Sequence, residues 1–168
     1  PVTSQARAYA LHLSAVIYER RGELDKAVEA WNEVIKLDEQ AFTPYLRLVG
    51  VYVRKDDIGK AREVCENAIA QFPDKSELWV IAGELSHRQG NIEAAIDAFN
   101  KAIALKPDDL TGYGALVELQ EKTNDLVAAI DIYEKLIEKS PNSAALYYQL
   151  GINLAQINDN EYAMRTFR

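Results

Sequence analysis

The residues of this chain whose types could do chemistry are two histidines, His12 and His87, one cysteine, Cys65, and many carboxylates. A histidine pair is the start of a metal site, but zinc takes three or four ligands gathered within bonding distance. His12 and His87 stand far apart, and no cluster of His, Cys, Asp or Glu beside either supplies the rest. A cysteine or serine nucleophile needs a base within reach, and the sequence pairs none. No Gly-rich loop of the kind that cradles phosphate is present. The acidic residues are scattered along helix-forming stretches, where they read as solvated faces rather than acid–base pairs. We therefore assign no catalytic residue, no metal ligand and no cofactor. The lone Cys65 cannot form an internal disulfide and reads as a small buried hydrophobe.

The elements that would carry any site are set by a period. Ala27, Ala61, Ala95, Ala129 and Ala163 are spaced 34 residues apart. Four residues beyond each stands Trp31, Cys65, Phe99, Tyr133 or Phe167, and eight beyond the first four stands Ile35, Ile69, Ile103 or Ile137. Self-similarity at this step is the mark of stacked helix pairs, in which each unit packs only on its neighbours.

The expected units are 8–41, 42–75, 76–109, 110–143 and a partial 144–168, forming one domain. Each holds two helices joined by a short turn. Expected helices run from Ser4 to Arg21, Leu24 to Leu37, Pro44 to Lys55, Ile58 to Gln71, Glu77 to Gln89, Ile92 to Lys106, Leu110 to Lys122, Leu126 to Lys139 and Ala144 to Ile157. A last one begins near Glu161. Gly22 supplies a left-handed stop after the first. Thr43, Ser76 and Asp109 read as caps, and Pro73, Pro107 and Pro141 end second helices. Gly112 and Gly114 lie inside one leading helix, which we expect to be the least rigid. The final helix stops at about half the length of its counterparts, so we read the chain as a fragment, or the ordered part, of a longer array.

These columns resemble the tetratricopeptide repeat. The third unit matches best, with Trp79, Ala82-Gly83, Ala95, Phe99, Ala102 and Pro107. The resemblance covers Ala8 to Arg168. It implies an all-α fold, an alpha-alpha superhelix of right-handed sense, with leading helices lining the concave side. Departures are Val49 and Val117 where Ala15, Gly83 and Gly151 are small, and Glu39 where the other units have proline. The bulkier valines predict wider helix spacing in the second and fourth units.

By position in the repeat, the resemblance places His12, Val16, Leu46, Gly50, Val53, Arg54, Val80, Glu84, His87, Arg88, Glu118, Glu121, Lys122, Tyr148 and Ile152 on the concave groove. Some family members clamp a partner's terminal carboxylates with Lys, Asn and Arg there. His12, Val16, Gly50, Val80 and Glu84 do not make such a clamp. What remains is an apolar patch of Val16, Leu46, Val53 and Val80 followed by Glu84, Glu118 and Glu121. That suits an amphipathic helix or extended peptide with basic flanks. The competing reading is that these valines pack on neighbouring helices.

The net charge of −7 argues against nucleic acid, which demands clustered Lys and Arg. The charge is spread fairly evenly. It reads either as a solubilising surface or as a preference for basic partners. No apolar run is long enough to span a bilayer, and no signal peptide is evident; the compartment stays open. The expected function is a non-enzymatic scaffold binding a protein or peptide in the groove. Two alternatives stand beside it: a module that self-associates through its solenoid ends, and the recognition arm of an enzyme whose catalytic domain lies elsewhere.

Overall fold

The computed structural model describes residues 4–166 and is built of helices alone among them. These are α1 (Ser4–Arg21), α2 (Leu24–Leu37), α3 (Phe42–Arg54), α4 (Ile58–Gln71), α5 (Ser76–Arg88), α6 (Ile92–Leu105), α7 (Leu110–Lys122), α8 (Leu126–Lys139), α9 (Ala144–Gln156) and α10 (Asn160–Thr166). Each odd-numbered helix pairs with the next as a hairpin, and each hairpin packs on the following one, α2 on α3 and so on to α8 on α9. Phe167, expected to close the aromatic column, lies outside the described residues.

The turn inside each hairpin follows one recipe at the same step. Gly22, Asp56, Gly90, Asn124 and Asn158 all have positive φ, between 59° and 78°. These are the residue types that tolerate the left-handed region. The next residue caps the second helix. Asp57 accepts from the Lys60 amide at 3.0 Å, Asn91 from Ala94 at 3.1 Å, Asp125 from Ala128 at 3.2 Å and Asp159 from Tyr162 at 3.2 Å. Each such cap stabilises its helix by about 1 kcal/mol. Glu23 holds this place in the first hairpin without a side-chain cap.

Two expected caps fall elsewhere. α3 starts at Phe42 after an extended Ala41, so Thr43 lies inside the helix and Pro44 in its first turn. Pro44 is tolerated because the first helical amides have no intrahelical acceptor anyway. Likewise α5 starts at Ser76 itself, which is buried, with extended Lys75 before it. Asp109 does cap α7, accepting from the Thr111 amide at 3.0 Å. Where Glu39 replaces the exit proline, the Asp38 carboxylate accepts from the Gln40 amide at 3.1 Å and turns the chain instead.

The core lies between the packed helices as four hydrophobic clusters spaced along the array. The alanine column is sealed: Ala27, Ala61, Ala95 and Ala129 have no exposed surface. Trp31, Cys65, Phe99 and Tyr133 are buried beside it. Sizes across the hairpin are matched. A Cβ on Gly83 would lie 2.4 Å from the Phe99 ring, so the largest gap in α5 faces a full aromatic. In the second hairpin Val49 and the smaller Cys65 share one cluster. α5 and α6 make the most extensive hairpin contact, and α3–α4 and α7–α8, which carry Val49 and Val117, engage less. Gly112 serves a different contact: a Cβ there would meet Ile103 of α6 at 2.9 Å.

Candidate interaction groove

The third and fourth hairpins bring their leading helices into contact, α5 against α7. Between them lies a cleft of about 330 Å³, lined by Glu84, His87 and Arg88 of α5 and by Ala115, Glu118, Leu119 and Lys122 of α7, with Phe99 of α6 at its base. Glu84, His87, Arg88, Glu118 and Lys122 are groove positions expected from the sequence. Phe99, expected only in the packing column, forms an apolar floor with Ala115 and Leu119, which the sequence reading did not single out.

The charges of the cleft differ in state. Glu118 is tied to Lys122 one turn on, at 2.6 Å. That hydrogen bond, and then the charge of Lys122 and of His87, holds the Glu118 carboxyl below its ordinary range. Glu84 makes no ion pair or side-chain hydrogen bond among the described residues. Its residue surface is exposed, and it lines the cleft between α5 and α7. Desolvation there raises its pKa, partly opposed by Arg88 and reinforced by Glu118. A carboxylate in this condition gains by meeting a cation. His87 and Arg88 stand beside it as donors.

The other expected groove residues have other duties. Val16, Leu46, Val53 and Val80 are half-buried, and each packs on a different core cluster. They do not form one exposed apolar stripe. Val80 still reaches the surface, in a notch of about 40 Å³ with Glu77, Thr111 and Gly112. His12 stands edge-on to Trp31, ring centres 4.8 Å apart. Arg54 donates to the Glu19 carbonyl at 3.1 Å. Gly50 is exposed, with nothing within 4 Å of an added Cβ, and so widens the face at α3. Tyr148 is 58% exposed and Ile152 half-buried on α9, outside the cleft.

Glu121 corrects the expected acidic patch. Its Oε1 accepts from the Tyr133 hydroxyl at 3.0 Å and from Asn153 Nδ2 at 2.8 Å. The carboxylate is a structural acceptor and is not free to steer a ligand. Three periods earlier Glu19 accepts from the Trp31 indole at 2.7 Å. In the two hairpins between, Cys65 and Phe99 carry no such polar handle, and Val53 and His87 stand where the glutamates would.

Cys65 is buried, its Sγ 3.5 Å from the Leu78 carbonyl, and burial pushes the thiol up to about 12. Such a thiol is unreactive at neutral pH. Among the described residues, no group of three or more His, Cys, Asp or Glu is placed to hold a metal ion, and no helix is long and apolar enough to cross a membrane.

Family models described as tetratricopeptide repeat match residues 8–41, 46–109 and 86–151. No curated protein matches the sequence. Several solved structures share the fold. The crystal structure of a MamA protein is 23% identical, with a TM-score of 0.76 over 95% of this chain and 87% of that one. MamA from Desulfovibrio magneticus is 17% identical, with a TM-score of 0.73 over 95% and 90%. YrrB, described as a tetratricopeptide repeat protein with an unusual peptide-binding site, is 21% identical, with a TM-score of 0.66 over 90% and 78%. Proteins of this kind are in general non-catalytic scaffolds for protein–protein interaction. With the period, the turn recipe and the matched residues all in one register, the chain belongs to the tetratricopeptide repeat family.

Proposed function

We propose that this protein is a non-enzymatic scaffold that holds a segment of a partner protein in the face formed by its leading helices, centred on the α5–α7 cleft. The observation that carries this reading is the convergence of Glu84, His87, Arg88, Glu118 and Lys122 over an apolar floor. The floor takes an apolar side chain. Glu84, unpaired and partly desolvated, takes a lysine or arginine beside it. His87 and Arg88 donate to backbone carbonyls or a carboxylate of the same segment. YrrB, a relative in fold, is itself described as binding a peptide, which supports the class of ligand.

The test is charge reversal at Glu84. Val80→Asp is a poorer probe, because Val80 packs on the core and a charge there disturbs folding as well as binding. Peptides selected from a random display library on the immobilised protein should lose affinity for Glu84→Lys while the variant keeps its helical content. Selected peptides that bind Glu84→Lys as tightly as the parent would remove the cleft from the account.

A further inference from the structure

The last turn of each of the first four leading helices carries a cation at one column of the repeat. Arg20, Arg54, Arg88 and Lys122 stand 34 residues apart, and all of them are exposed. A cation at a helix C-terminus complements the helix dipole, which accounts for its presence in any one helix. The register then lays these residues in a row across successive leading helices, in a chain whose net charge is −7. Arg54 of α3 donates to the Glu19 carbonyl of α1 at 3.1 Å, next to Arg20 in the chain. Arg88 of α5 and Lys122 of α7 line one cleft.

The row is neutralised at one end only. One turn before its cations the sequence has Val16, Gly50, Glu84 and Glu118. Glu118 takes Lys122 at 2.6 Å, and the Glu84 carboxyl feels the charge of Arg88. Val16 and Gly50 offer nothing to Arg20 and Arg54. Glu19, beside Arg20 in the chain, is turned to the Trp31 indole at 2.7 Å and to Arg47 at 3.7 Å. The neighbouring cations Arg21 and Lys55 are paired, with Glu23 and Asp25. Among the described residues Arg20, Arg54 and Arg88 make no ion pair, and Arg54 gives one N–H to a backbone carbonyl. Three guanidinium groups in a row thus have capacity for a carboxylate, which suits their paired donors.

We propose that this row binds an acidic segment of a partner protein, lying in the polyproline II conformation across the last turns of α1, α3 and α5, with Asp or Glu at every third residue. Packed helix axes stand about 8–10 Å apart. A polyproline II chain presents the same face every three residues, about 9 Å further on, so its carboxylates meet successive guanidinium groups. The proposal rests on the leading helices being the binding face, and not on the cation assigned to Glu84. Arg20 and Arg54 lie outside the α5–α7 cleft.

The probe is a fluorescent peptide of three Glu-Pro-Ala units, without a basic residue. Its control has the same composition with the glutamates adjacent. The readout is anisotropy at low ionic strength, where exposed charges are least screened. The ladder peptide should bind the parent about tenfold or more tightly than the control does. The double variant Arg20→Gln, Arg54→Gln should lose about tenfold or more while keeping its helical content. Arg20→Gln alone makes the same test without disturbing the Arg54 bond to Glu19. Glu84→Lys should bind the ladder at least as well as the parent. No binding at millimolar peptide, equal affinity for ladder and control, or undiminished affinity in the arginine variants overturns the proposal. Heparin binding more tightly than the ladder, with the same dependence on Arg20 and Arg54, would give the row to a different polyanion and overturn it as well. A loss confined to Glu84→Lys would leave the α5–α7 cleft standing and sink the row.

Discussion

Asn153 of α9 donates its amide to Glu121 of α7 at 2.8 Å, and the Tyr133 hydroxyl of α8 donates to the same oxygen. Three helices from two hairpins thus meet on one carboxylate. Asn153 is buried, and its own Oδ1 has no partner among the described residues. Its counterparts Val51, Leu85 and Leu119 are apolar and buried. The asparagine is therefore kept in place by the bond to Glu121. A double-mutant cycle of Glu121→Ala and Asn153→Ala, read by denaturant unfolding, should give a coupling of about 1–3 kcal/mol. Additivity within about 0.5 kcal/mol would show that the bond contributes nothing.

Two helical glycines should respond to alanine with opposite signs. At Gly83 the added methyl enters the Phe99 ring, which is itself buried. Overpacking of this kind costs about 1–3 kcal/mol. At Gly114 nothing lies within 4 Å of the added Cβ. There the gain in helix propensity, up to about 1 kcal/mol, stands alone. Gly83→Ala should lower the denaturation midpoint and Gly114→Ala should raise it. Equal shifts would refute the assigned packing.

The cleft carboxylates predict a pH signature. Burial raises the folded-state pKa of Glu84 above its unfolded value. The folded protein therefore holds that proton more tightly than the unfolded chain, and ionised Glu84 costs stability at neutral pH. The cost disappears as pH falls through the raised value. Glu118 has the opposite sign, since its bond to Lys122 lowers its pKa. Its contribution is present above the unfolded value and is lost as pH falls through the folded one. Midpoints of Glu84→Gln should exceed the parent's at neutral pH and converge with them in acid. Glu118→Gln should start no higher than the parent and also converge in acid. A pH-independent difference for Glu84→Gln would contradict its desolvation.

Most of the fold was legible because its signals are local and repeated. One alanine column fixes the period, and Gly, Asp and Asn at the turn step are the types that accept positive φ. Thr43 and Ser76 misled because both are good caps in isolation, while the extended residue before each helix is set by how the previous hairpin delivers the chain. The groove was less legible. Position in the repeat gives a side chain's direction but not what meets it, so Val16 and Val53 read as exposed although neighbouring helices half-cover them. Glu121 read as free because its partners lie on two other helices. A signal was present, since glutamate precedes the aromatic column only where that column carries a polar hydrogen, at Glu19 with Trp31 and Glu121 with Tyr133.

The most direct measurement of the central claim is the affinity of library-selected peptides for three proteins: the parent, Glu84→Lys in the α5–α7 cleft, and Asn100→Lys on the exposed face of α6. The account predicts peptides with lysine or arginine beside an apolar residue, bound about tenfold or more weakly by Glu84→Lys and equally well by Asn100→Lys, with the Glu84 effect fading at high salt. Peptides without basic residues that bind Glu84→Lys unchanged and lose affinity for Asn100→Lys would contradict it.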